Sequence, residues 1–138
     1  MRNMTNSRAR NLGKKLLRKA FRELRIKDGL GDEPITDDEF SYWYNKERDG
    51  QRGNYLVYEV IDSDPVYRAD DKVVGRDFFC QIDVFSIRGY ETKQFSEFIG
   101  KFEDKLTDYG FEVDMQGENY EPDTRLYHQL IYVSKLLI

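Results

Sequence analysis

Phe78-Phe79-Cys80-Gln81-Ile82-Asp83-Val84-Phe85-Ser86-Ile87 is the stretch on which the fold turns. Successive side chains of an extended chain point to opposite sides, which puts Cys80, Ile82 and Val84 on one face and Phe79, Gln81, Asp83 and Phe85 on the other. The first face is apolar and the second mixes rings with polar groups. That pattern predicts a half-buried strand whose apolar face meets helices. Upstream, Tyr55 to Ile61 is again rich in β-branched and aromatic residues, with Asp62-Ser63-Asp64-Pro65 and Ala69-Asp70-Asp71-Lys72 reading as turns between the two runs. Together they predict an antiparallel pair.

Downstream, Thr92 is a fitting N-cap, and Phe95, Phe98, Ile99, Phe102 and Leu106 keep a 3.6-residue period up to Gly110, a natural C′ residue. Two more extended runs follow, Phe111 to Met115 and Arg125 to Leu136, separated by Gln116-Gly117 and the polar stretch Asn119 to Asp123. At the other end, Leu12, Leu16, Leu17, Ala20, Phe21 and Leu24 recur at helical steps from Ser7 to about Lys27, with Arg and Lys between them, and Gly29 and Gly31 are read as the stop. From Asp32-Glu33-Pro34 to Asn54 an acidic connection holds an aromatic knot of Phe40, Tyr42, Trp43 and Tyr44 and the turn-rich Asp49-Gly50-Gln51-Arg52-Gly53. It reads as a long loop with at most an irregular strand or a turn of helix.

The sequence therefore predicts one α+β domain over residues 1–138, in the order αββαββ. A basic amphipathic helix (1–28) is followed by an acidic and aromatic loop insertion (29–54) and a ββαββ core (55–138). Its four-stranded, mainly antiparallel sheet carries the two main helices on one face. Such a sheet leaves its other face partly open. Phe79, Phe85, Tyr127, His128 and Ile131 are the expected interface residues there, since exposed apolar surface marks contacts.

Composition narrows the function. The 138 residues include 10 Tyr, 9 Phe and 1 Trp, so much of the available burial is aromatic. No stretch approaches the ~20 apolar residues of a bilayer-spanning helix, and the N-terminus lacks the apolar core of a signal peptide; the expectation is no membrane association and no secretion. Cys80 is the single cysteine, which excludes an intramolecular disulfide and suits a reducing cytoplasm. Ten of the 22 Lys and Arg residues but one of the 26 acids lie in residues 1–27, leaving 12 basic against 25 acidic side chains in the rest, a net charge of −13. The basic set Arg10, Lys14, Lys15, Arg18, Lys19 and Arg22 has three readings: nucleic-acid phosphates, the acidic body of this or a neighbouring subunit, or a plain solvated face.

Organised chemistry is absent from the pattern. His128 is the single histidine and has no nucleophile motif around it. No G-x-S-x-G, Walker A or G-x-G-x-x-G run occurs. Asp62, Asp64, Asp70, Asp71 and Asp77 lack the spacing of an EF-hand and read as solvated hairpin turns; Glu59, Asp83 and Lys72 would have to be forced into a nuclease centre. No catalytic residue, cofactor or metal ligand is assigned.

The run Tyr58-Glu59-Val60-Ile61-Asp62-Ser63-Asp64-Pro65, then Ala69-Asp70-Asp71, then Phe79 to Ser86, resembles the phage tail-terminator and tail-completion families. Leu106-Thr107-Asp108-Tyr109-Gly110-Phe111 and Tyr120-Glu121-Pro122-Asp123-Thr124-Arg125-Leu126-Tyr127-His128 are similar to the same families' Leu-x-x-x-Gly-Phe and acidic-Thr-x-x-Tyr-His pattern. The likeness covers a little over half of the chain. It implies a non-enzymatic part of a phage or prophage particle that caps the tail tube as a ring, typically a hexamer, and gives the head-tail joining surface. The implied partners are copies of itself, the major tail tube protein and a head-completion or connector protein. Its place would be the tail-head junction of the virion, after assembly in the host bacterial cytoplasm. Genomic DNA would pass through the ring without specific binding, and the −13 body leads to the expectation that some of Asp62, Asp64, Asp70 and Asp71 face the channel or its rim. The alternatives are a head-completion or neck protein, or a nucleic-acid-binding module that uses the basic helix.

Overall fold

The computed structural model describes residues 3–31, 39–45, 54–87 and 93–138. Helix α1 (Asn6–Glu23) is followed by strands β1 (Lys27–Asp28), β2 (Phe40–Tyr44), β3 (Asn54–Ala69) and β4 (Lys72–Ser86), helix α2 (Lys93–Asp108), and strands β5 (Glu112–Glu121) and β6 (Leu126–Leu137). The strands make one six-stranded mixed sheet in the order β1-β2-β3-β4-β6-β5. β1, β2 and β3 pair in parallel, and the other neighbours are antiparallel.

This corrects the expected four-stranded αββαββ arrangement. The aromatic run 40–44, read as loop, is a strand in register with β3 from Phe40 opposite Asn54 to Tyr44 opposite Tyr58. Its reason is tertiary. Phe40 stacks on Phe98 of α2 at 3.9 Å between ring centroids, and Tyr42 packs against Phe21 of α1 at 5.3 Å, so a five-residue run gains burial that no local pattern announces.

Asp62-Ser63-Asp64-Pro65 is a second correction, because it lies inside β3 and not at a turn. Among the described residues β3 is paired on the β4 side alone from Glu59 onward, and an edge strand tolerates both proline and acidic residues. Register shifts at Val60/Asp62 and Pro65/Tyr67 absorb the misfit. The reversal comes at Asp70 and Asp71, whose φ values of 50° and 59° suit a two-residue hairpin turn. In the same way β5 runs on to Glu121 through an irregularity between Met115 and Glu118.

Both helices sit on one face. Inward-pointing Leu56, Tyr58, Phe78, Cys80, Ile82, Val84, Ile131 and Val133 are buried beneath α1 and α2, with Leu17, Ala20, Phe21, Phe102 and Leu106 facing them. Phe21 is the hub, with Tyr58 at 5.5 Å and Phe102 at 5.8 Å besides Tyr42. Gly13 lets α1 approach β4, since a Cβ there would run into the Phe78 ring.

Thr5 caps α1 by accepting the Arg8 N–H at 3.1 Å. The helix ends at Glu23, short of the expected Lys27, and Gly29 and Gly31 play no part in stopping it. Instead the N–H of Ile26 returns to the Phe21 carbonyl and that of Arg25 to the Arg22 carbonyl, with Arg25 left-handed at φ 62° and Ile26 buried. α2 closes by the same device: Phe111 N–H to Leu106 O, Gly110 N–H to Thr107 O, and Gly110 at φ 85°. The expected N-cap Thr92 and the turn-rich 49–53 lie outside the described residues.

Candidate assembly surface

The face away from the helices is built by the alternate residues of five strands. Register places Phe79 opposite Ser134, Gln81 opposite Tyr132, Asp83 opposite Leu130 and Phe85 opposite His128. On the β3 side Tyr55 lies opposite Phe85 and Glu59 opposite Gln81. The rings lie against one another: Tyr55 on Phe85 at 4.7 Å, Phe85 on His128 at 4.4 Å and Phe79 on Tyr132 at 5.7 Å. Tyr55 is buried and the other four rings are half-buried, in a layer bordered by Glu59, Asp62, Asp64, Asp77, Glu112 and Asp114, all exposed.

Three of the expected interface residues, Phe79, Phe85 and His128, belong to this face. Ile131 does not. It pairs with Ile82 and Met115 on the helix side and is fully buried. Tyr127 shares that helix-side face, opposite Ser86, with its ring 4.9 Å from that of Tyr120. The polar stretch Asn119 to Asp123, read as a separator between two extended runs, hid the pairing of β5 with β6 through Glu121.

His128 is held from both ring nitrogens. Nε2 lies 2.7 Å from Asp83 Oδ1 and Nδ1 lies 3.1 Å from Glu121 Oε1, while the Gln81 amide donates to the other Asp83 oxygen at 3.0 Å. The hydrogen bond to Asp83 is the main cause that raises the imidazole above its ordinary value; burial opposes it, and the charges of Asp83 and Glu121 add to the rise. In its protonated form the imidazole donates from both nitrogens, one to each carboxylate. The arrangement ties β4, β6 and β5 together across the face. Among the described residues no group of three or more His, Cys, Asp or Glu side chains could hold a metal ion. Cys80 is sealed in the core, where burial pushes its thiol up to about 12 and leaves it unreactive.

The expected acidic set divides. Asp62 and Asp64 point from the helix-free face beside Asp77, close enough that a hydrogen bond donated by the protonated Asp64 carboxyl to Asp62 raises the Asp64 carboxyl. Asp70 and Asp71 form the tip of the hairpin, about 20 Å farther along the strands. Between them the β3–β4 ribbon extends past the end of β6, showing Val66 and Tyr67 at about half exposure. The chain's N-terminal residues brace the ribbon's root: Met4 N–H donates to the Val73 carbonyl, and Arg76 Nε donates to Met4 O at 2.7 Å.

The basic set on α1 divides too. Arg10 Nε donates to Asn6 Oδ1 at 3.1 Å, Lys14 Nζ lies 4.5 Å over the Tyr44 ring, and Arg18 hydrogen-bonds Tyr58, whose phenol burial pushes up to about 12. Lys15, Lys19 and Arg22 are exposed. Sequence reasoning missed a cavity of about 920 Å³ between the end of α1, β1, β2 and the start of α2, whose wall includes Arg22, Arg25, Phe40, Tyr42 and Phe98. Burial raises the Tyr42 phenol while the adjacent Arg22 opposes this, and its oxygen makes no hydrogen bond of normal geometry. Among the described residues no helix is long and apolar enough to cross a membrane.

The chain matches no family model and no curated protein.

Proposed function

We propose that this protein is a structural subunit that works by assembly with copies of itself, of the phage tail-terminator or tail-completion kind. The observation that carries the reading is the sheet itself. One face is buried under both helices, and the other is a layer of stacked rings that none of the described helices covers and that continues into a projecting two-stranded ribbon with exposed Val66 and Tyr67. Surfaces of this kind mark protein contacts.

In that role each subunit would bury the ring layer and the ribbon against neighbours in a heterologous contact that closes, and one ring face would dock on the tail tube. Asp62 and Asp64, with Asp70 and Asp71 at the ribbon tip, would line the channel or its rim, where carboxylates repel phosphate and let DNA slide. The test is tube growth. Added to polymerising subunits of the tail-tube protein encoded nearest to it, this protein should halt elongation and leave short tubes of uniform ends; tubes of unchanged length would contradict the proposal. A nucleic-acid module remains the second reading, favoured by the exposed row Lys15, Lys19 and Arg22.

A further inference from the structure

The charges of α1 and of the sheet's helix-free face are sorted by side, while α2 is mixed, with Glu97, Glu103, Asp104 and Asp108 beside Lys93, Lys101 and Lys105. Across the strand segments 54–64, 77–86, 112–121 and 126–134 there is no Lys or Arg, whereas Glu59, Asp62, Asp64, Asp77, Asp83, Glu112, Asp114 and Glu121 all belong to the helix-free face. On the opposite side of the molecule, α1 carries Arg8, Arg10, Lys14, Lys15, Arg18, Lys19 and Arg22 against the single acid Glu23. A subunit of this kind has an anionic plate on one side and a cationic rod on the other.

The spacings also agree. Lys15 and Lys19, one helical turn apart, are separated by about 6 Å along the α1 axis. Glu112 and Asp114, alternate residues of the edge strand β5, are separated by about 6.7 Å along the strand. All four are exposed. Two cations on a helix can therefore meet two carboxylates on a strand without either element bending.

We infer that the occupant of the helix-free face is a second copy of this chain, which seats the Lys15–Lys19–Arg22 row of its α1 on the Glu112–Asp114 side of the sheet. This rests on the assembly reading above and names the two surfaces that meet. The contact is head-to-tail: each copy uses its sheet toward one neighbour and its helix toward the other, so it propagates or closes into a ring according to the rotation per step. Opposite fields across the contact set its register and speed encounter more than they add affinity, and the half-buried rings supply the apolar area beneath them. Nucleic acid would compete for the helix row alone and would leave the acidic plate uncovered.

Charge reversal in halves tests the pairing. Sedimentation velocity would follow the wild type, Lys15→Glu/Lys19→Glu and Glu112→Lys/Asp114→Lys at about 0.1 M salt, where the screening length is ~10 Å, and at about 1 M, where it is ~3 Å. The wild type should associate at the lower salt, and more slowly and weakly at the higher. Each variant alone should stay monomeric, and an equimolar mixture should associate again, because in it the native helix row meets the native plate and the two reversed surfaces are complementary to each other. That mixture also shows that both variants are folded. Association of both variants to the wild-type extent would overturn the inference. So would a mixture that stays monomeric, or a wild type that is monomeric at about 0.1 M and is instead retained on duplex DNA through the helix row.

The failures are separable. Closed rings formed equally by all three proteins would leave the ring and remove this contact. Open chains of unlimited length, lost on charge reversal, would keep the contact and remove the ring.

Discussion

His128 is the residue on which charge and structure meet most directly, and its protonation is legible in solution because the chain has a single histidine. Its folded pKa is raised, so the protonated form is the one the fold prefers. The stabilisation is fully present below the unfolded value of about 6.5 and is lost as pH climbs through the raised folded value. Denaturant midpoints should accordingly fall as pH rises above about 6.5, and they should fall less in Asp83→Asn, which removes the main cause of the rise. The His128 ring resonances followed by NMR should titrate at lower pH in that variant than in the wild type; coincident titrations would show that the bond to Asp83 does not set the proton. The sequence supplied His128 and Asp83 but not their meeting. Asp83 lies opposite Leu130, and Glu121 reaches Nδ1 only because β5 continues past its irregularity, so the cluster depends on a register that alternation alone does not fix.

Elements with a strong period were readable and elements made by partners were not. α2 announces itself by Phe95, Ile99, Phe102 and Leu106 and closes on Gly110, and the Cys80, Ile82, Val84 face of β4 is fully buried as its alternation requires. β2 has five residues and no clean alternation, and its stability comes from the pairing with β3 and from Phe98 and Phe21 above it. The acidic half of β3 carries turn residues that an edge strand tolerates, which is why composition misplaced it. The end of α1 shows a third kind of miss. A glycine was expected to stop it, yet the left-handed position is taken by Arg25, at a cost of roughly 1–2 kcal/mol for a residue with a Cβ. Arg25→Gly should raise stability by about 0.5–1 kcal/mol after the entropy of the freer unfolded chain is counted, read as an upward shift of the urea midpoint with an unchanged slope. A lowered midpoint would mean that the Arg25 side chain contributes more than its backbone costs.

At the scale of the whole molecule the division of charge seen in the sequence has a physical location. The positive segment is a helix laid on one side of the sheet, and much of the negative remainder faces away on the other. An amphipathic stripe placed the helix on the core, but only the six-stranded order shows that the acidic residues of β3, β4 and β5 share a surface. In the proposed assembly that geometry makes the subunit directional. The proposed role is that of one subunit in a closed ring at the end of a tube. Electron cryomicroscopy of tail tubes grown with this protein tests it: a single closed ring should stand at one tube end with the helix-free sheet face buried between neighbours, and bare tube ends, or a bound copy whose sheet face looks into solvent, would contradict that role.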